Sequence, residues 1–228
     1  MWVIVVAGGS GSRFGGPKQF TPLAGRPVAA WSIEAARSVA DGIVLVVPDG
    51  GNGGDGSGRD GNEGAGGEDL SDLGAERVVS GGDTRSASVR AGLAAVPDDA
   101  GVIVVHDAAR PLASTSLFEA VVGAVRSDGA LGAIPVLAVR DTLKRMSAGT
   151  VSSTVDREGL VTVQTPQAFE ASTLRAAHRP GREATDDAGL LEQLGVTVHT
   201  VPGDPRNVKI TCPEDLELAE LLVSAARR

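Results

Sequence analysis

The sequence predicts an α/β fold: a mostly parallel sheet with helices on both faces. Three observations point there. Continuous β-branched and aliphatic runs recur at residues 2–6 (WVIVV), 43–47 (IVLVV) and 102–105 (VIVV), the pattern of strands buried on both faces. Residues 28–39 (VAAWSIEAARSV), 86–96 (SASVRAGLAAV) and 116–125 instead carry apolar side chains at helical spacing. The two patterns alternate, which implies βαβ units.

The first strand stops at "VVAGGSGSRFGGPKQF", residues 5–20. Ligands of parallel sheets gather at such strand ends. A dinucleotide fingerprint takes its first two glycines from Gly9 and Gly11, but Phe14 stands where the third should pack against the helix. A P-loop fails twice, because Pro17 separates Gly16 from Lys18 and Gln19 replaces the magnesium-binding hydroxyl. Nucleotidyl transfer fits better. Successive glycines let backbone amides approach a triphosphate, and Arg13 and Lys18 supply charge where a phosphoryl transition state becomes negative. The plainer alternative is a tight strand-to-helix turn with solvated basic residues.

After the second strand, residues 49–69 (DGGNGGDGSGRDGNEGAGGED) hold ten of the 31 glycines and no large apolar side chain. Such a stretch cannot offset its ordering entropy by burial, so a flexible surface insertion is expected within a single domain spanning residues 1–228. Next comes "SGGDTRSAS" (80–88), where Gly81 and Gly82 expose amides beside Asp83, Arg85 and Ser88. Asp83 or Ser86 also suits the N-cap of the following helix. The third strand ends in His106 and Asp107, which makes Asp107 a ligand-facing carboxylate and His106 a satisfied structural residue. Residues 137–163 alternate around Gly149 and Gly159, the pattern of β-hairpins in an arm. Lys209 sits in a short β-like segment as a second point charge for phosphates. The closing CPEDLELAELLVSAARR is an amphipathic helix with Pro213 in its first turn, acids early and arginines last.

Composition excludes other classes. Aromatics are 3% with no Tyr, and the formal net charge is −8, which opposes a nucleic-acid footprint. Cys212 is the only cysteine, so neither an intrachain disulfide nor a Cys-based zinc site is available. No apolar stretch approaches the length of a membrane span, and no basic leader precedes the first strand. A cytoplasmic protein is expected.

The opening loop resembles the signature of nucleotidyltransferases that activate sugar and polyol phosphates on a Rossmann-like fold. The ordered set "SGGDTRSASV", "VVHDAARP", "VRDTLKR", "TVDREGL", "TPQAF", "TDDA" and "NVKIT" narrows this. It resembles the 2-C-methyl-D-erythritol 4-phosphate cytidylyltransferase family of the non-mevalonate isoprenoid pathway. The resemblance implies CTP and a polyol phosphate as substrates and Mg2+ or another divalent cation as cofactor. It implies that Arg13, Lys18 and Lys209 act on the phosphates and transition state. Ala7, Gly8, Gly9, Gly11, Gly82, Asp83, Arg85, Ser88 and Ala108 are then the nucleotide contacts. Asp107, Arg110, Thr142, Arg157, Thr165 and Thr185 face the acceptor, with Asp107 also near the metal. The resemblance further implies a homodimer in which the β-arm carries Thr142 and Arg157 to the neighbouring site. The doubled glycine after Ala7 also occurs in relatives acting on ribitol 5-phosphate, which makes a ribitol-5-phosphate cytidylyltransferase the alternative.

Overall fold

The computed structural model describes residues 1–9, 14–16, 18–48 and 73–226. The expected insertion at 49–69, and with it Gly11, Arg13 and Pro17, lies outside them. In chain order the elements are β1 (Trp2–Val6), a 3-10 turn (Lys18–Phe20), β2 (Pro22–Leu23), β3 (Arg26–Pro27), α1 (Val28–Arg37), β4 (Gly42–Val47) and β5 (Arg77–Ser80). There follow α2 (Arg85–Ala95), β6 (Val102–Asp107), α3 (Thr115–Arg126), β7 (Gly132–Ala138), β8 (Leu143–Ser147), β9 (Thr150–Val155) and β10 (Val161–Val163). The chain continues through β11 (Gln167–Glu170), α4 (Ala171–Ala177), α5 (Asp187–Glu192), β12 (His199–Pro202) and α6 (Pro213–Ala226).

An eight-stranded sheet runs β10-β7-β11-β6-β1-β4-β5, with β12 also on β7. Pairs β1–β4, β1–β6, β4–β5 and β7–β12 are parallel, whereas β10 and β11 run against their neighbours. The mostly parallel sheet expected from the apolar runs is therefore present, with two antiparallel members. Side chains alternate between its faces. Val3, Val5, Ile43, Leu45, Val102 and Val104 face α1 and α3, while Ile4, Val44, Val46, Ile103 and Val105 face α2, α4 and α5. Both faces are covered, which is why these strands read as unbroken apolar runs. A smaller cluster of Leu23, Val28, Ile210, Ala219 and Val223 seats α6.

Three expectations are corrected. The N-cap of α2 is Thr84, whose hydroxyl accepts from Ala87 N at 3.0 Å; neither Asp83 nor Ser86 holds that place. Gly149 does turn a hairpin, with Ala148 and Gly149 both at positive φ between β8 and β9, the pattern of a type I′ loop. Gly159 does not, because β10 pairs with β7 in the main sheet and not with β9. The free ribbon is thus residues 143–155, shorter than 137–163. Finally, residues 207–211 form no strand. Side chains pin this segment instead: Gln164 Nε2 donates to Asp204 O at 2.9 Å, Asn207 Nδ2 to Thr165 O at 2.9 Å, and Arg110 Nη1 to Asn207 O at 2.9 Å.

Candidate active site

The order β6-β1-β4 places β1 where the chain's path across the sheet reverses, and a crevice at the strand ends is the expected ligand position. A cleft of about 540 Å³ opens there. Its floor is Val6 to Gly9 after β1 and Asp107 to Ala109 after β6. One wall is Gly82 to Arg85 with Ser88; the other is Lys18 and Gln19, with Lys209 and Thr211 from the segment before α6. Three basic side chains distant in sequence therefore meet at one opening.

The two glycine loops touch through Ser88, which is buried. Its Oγ accepts from Gly82 N at 3.2 Å and donates to Gly82 O at 3.3 Å. A Cβ on Gly8 would come within 3.2 Å of that same oxygen, and a Cβ on Gly82 within 2.6 Å of Ala87 Cβ. Here glycine is required for the close approach of loop to helix.

Asp107 is 9% exposed, at the last position of β6. Its Oδ2 accepts from Lys209 Nζ at 2.7 Å and its Oδ1 lies 3.5 Å from Arg85 Nη2. Burial alone would raise its pKa, but Lys209 and Arg85 outweigh that and hold the carboxyl well below the usual range. Arg85 is bound more closely by Asp187, at 2.8 Å, and is kept charged because Asp187 and Asp107 overcome the opposing effect of burial.

Beneath Asp107, Thr165 Oγ accepts from Asp107 N at 3.0 Å and meets His106 Nδ1 at 3.1 Å. His106 Nε2 lies 3.2 Å from Arg110 O, which can only accept. The proton is therefore on Nε2, Nδ1 accepts from the Thr165 hydroxyl, and that hydroxyl accepts from Asp107 N. Burial pushes the His106 pKa down to about 4. This neutral relay fixes the end of β6, the structural role expected for His106.

Of the residues singled out from the sequence, Ala7, Gly8, Gly9, Lys18, Gly82, Asp83, Arg85, Ser88, Asp107, Ala108 and Lys209 line this cleft. Gly11 and Arg13 lie outside the described residues. Thr165 is buried below the cleft, and the Arg110 guanidinium holds the carbonyls of Asn207 and Val163. Thr185 and Thr142 are exposed and are not among the residues that line it. Arg157 lines a second, shallow depression with Arg140, Asp156 and Glu158 at the base of the ribbon. Sequence reading missed Gln19, Thr84, Ala109 and Thr211 on the cleft, and Asp187 and His178 behind Arg85. Position beside recognised residues was the available signal for most of these: Gln19 follows Lys18, and Asp187 lies in "TDDA".

A family profile, IspD: 2-C-methyl-D-erythritol 4-phosphate cytidylyltransferase, matches residues 1–225. The chain belongs to this family. It is 45% identical to the 2-C-methyl-D-erythritol 4-phosphate cytidylyltransferase of Nocardia farcinica over 225 residues, covering 96% of this chain and 92% of that one. It is 41% identical to the enzyme of the same name from Deinococcus radiodurans, covering 96% and 88%. It also matches the bifunctional enzyme IspD/IspF of Granulibacter bethesdensis at 43% identity, spanning 56% of that longer protein. The fold superposes on the crystal structure of 2-C-methyl-D-erythritol 4-phosphate cytidylyltransferase from Thermus thermophilus with a TM-score of 0.77 at 35% identity, over 97% of this chain and 98% of that one. Membership of the IspD family makes the chain a nucleotidyltransferase, and the doubled glycine after Ala7 does not move it to the ribitol side.

Proposed function

We propose that the chain transfers the cytidylyl group of CTP to 2-C-methyl-D-erythritol 4-phosphate, giving 4-diphosphocytidyl-2-C-methyl-D-erythritol and pyrophosphate. The observation that carries this reading is the meeting of Lys18, Arg85 and Lys209 with two glycine loops in the cleft at the β1 and β6 ends. The wall from Gly82 to Ser88 takes the base, and the Gly8–Gly9 amides with Arg13 and Lys18 take the triphosphate. An acceptor phosphate oxygen attacks the α-phosphorus as the bond to the bridging oxygen breaks and pyrophosphate leaves. With a second phosphate pKa of about 6, the acceptor is already mostly a dianion at neutral pH, so no general base is required. Rate enhancement then comes from in-line positioning and charge neutralisation. Lys209, held by Asp107, and Lys18 supply the latter.

Mg2+ or another divalent cation fits this donor set. Among the described residues no group of three or more His, Cys, Asp or Glu side chains could hold a metal. An ion carried on triphosphate needs only one or two protein carboxylates, and Asp107 supplies one. When bound, the ion would be held with the help of Asp107 and would supply charge neutralisation at the phosphates.

The acceptor contacts extend to Thr142 and Arg157 of a second copy. In support, among the described residues β8 and β9 pair only with each other, and Met146 and Val151 are 66% and 62% exposed on them. An isolated two-stranded ribbon is marginal on its own. Mixing inactive Lys18→Ala with inactive Arg157→Ala should restore activity, because mixed dimers contain one intact site; no recovery on mixing contradicts the shared site. Product identity is tested by 31P NMR. The monoester signal of the acceptor should give way to the coupled pair of a diphosphate diester.

Among the described residues no helix is long and apolar enough to cross a membrane.

A further inference from the structure

Behind the nucleotide wall runs a line of alternating charge. His178 Nε2 lies 2.8 Å from Asp187 Oδ1, Asp187 Oδ2 accepts from Arg85 Nη2 at 2.8 Å, and Arg85 Nη2 is 3.5 Å from Asp107, which holds Lys209. An ionised carboxylate only accepts, so His178 donates from Nε2. We propose that Asp187, anchored by His178, is a positioning residue that holds Arg85 in the cleft wall for the nucleotide.

Local structure does not account for Asp187. The neighbouring Asp186 caps α5, accepting from Gly189 N at 3.0 Å, and also accepts from Gln167 Nε2 at 3.0 Å. Asp187 sits one residue further on with no exposure, and both its oxygens go to side chains from other parts of the fold. Burial would raise its pKa, but Arg85 and His178 reverse this and keep it ionised. Well-packed apolar side chains serve stability as well as a buried charge set, so the set is explained by what it does for Arg85. Arg85 uses only Nη2 for its two carboxylates. Among the described residues its Nε and Nη1 make no hydrogen bond and are not buried, so they are available to a ligand. The 2.8 Å contact to Asp187, against 3.5 Å to Asp107, keeps the guanidinium from collapsing onto the carboxylate that Lys209 occupies. Asp186 also acts on Arg85, but without Asp187 the carboxylate left in ion-pair reach among the described residues is Asp107, at 3.5 Å, and Arg85 turns toward it.

This rests on Arg85 being a nucleotide contact. The test is steady-state kinetics on Arg85→Ala, Asp187→Asn and the double variant, with thermal unfolding of each. Arg85→Ala and Asp187→Asn should each raise the KM for CTP by about tenfold, with kcat within about threefold and the acceptor KM unchanged. The double variant should match Arg85→Ala alone, since Asp187 acts through Arg85. Normal CTP KM in Asp187→Asn, or additive losses in the double variant, overturns the positioning role. Normal CTP KM in Arg85→Ala instead removes the nucleotide reading of Arg85, and the proposal with it. If Asp187→Asn does not fold, His178→Leu decides the matter. It removes one anchor while filling the space, and should raise the CTP KM by about threefold at unchanged kcat; an unchanged KM overturns the proposal.

Discussion

Lowering the pH should destabilise this protein through His106 before any carboxylate contributes. The ring is fully buried, its Nδ1 accepts from Thr165 and its Nε2 donates to Arg110 O, so the folded state has no place for a second proton. Burial takes its pKa from 6.5 to about 4. Above about pH 6.5 both folded and unfolded chains carry neutral His106, and the full stability is present. As the pH falls below that, the unfolded chain binds a proton that the folded one refuses, and stability is lost until the folded pKa is reached. A difference of about 2.5 units at ~1.36 kcal/mol each gives about 3 kcal/mol. With a urea slope of ~2.5 kcal/mol/M, the unfolding midpoint should drop by about 1 M between about pH 7 and about pH 4.5. Asp107 and Asp187, whose pKa values are lowered from 3.8, contribute only at lower pH, where protonation of the unfolded chain begins. The assay is urea unfolding across this range for the natural chain and for His106→Gln. The variant is less stable at neutral pH but has no imidazole at this position to titrate, so its midpoint should fall less. Parallel pH dependences for the two proteins would refute a buried, neutral His106.

Three further outcomes follow from the site. Lys18→Ala should lower turnover at saturating CTP by about 100-fold while changing the CTP KM by less than about tenfold; weakened CTP binding with intact turnover contradicts a transition-state role. Gly82→Ala should cost about 1–3 kcal/mol in urea unfolding, because its Cβ would stand 2.6 Å from Ala87 Cβ; a neutral effect means the loop is looser than described. Chelating divalent cations should stop pyrophosphate release, with recovery on adding Mg2+, and leave the unfolding midpoint of the nucleotide-free protein unchanged; full activity in chelator contradicts the cofactor assignment.

The centre of the sheet was legible because β1, β4 and β6 are covered on both faces and so carry unbroken apolar runs. The other strands were not. β5 (RVVS) and β12 (HTVP) at the margins of the sheet, and β11 (QAFE) between β6 and β7, are short and partly polar, and their strand state comes from pairing with neighbours rather than from local pattern. Much of the cleft lining was readable, since glycine loops and strand-end residues announce themselves by position. Residues 207–211 misled, because Val208 and Ile210 imitate alternation. Ile210 is buried against α6 and donates its N–H to Ala109 O, while the neighbouring backbone is held by side chains of Gln164, Asn207 and Arg110. Asp187 was invisible as a partner of Arg85 because 102 positions separate them. Only the packing of α5 against the sheet brings them together.

The most direct test of the account is pyrophosphate release by the purified chain, with each nucleoside triphosphate crossed against 2-C-methyl-D-erythritol 4-phosphate and ribitol 5-phosphate. CTP with the methylerythritol acceptor should exceed every other combination in kcat/KM by about 100-fold or more. Equal or faster release with ribitol 5-phosphate, or with UTP in place of CTP, would contradict it.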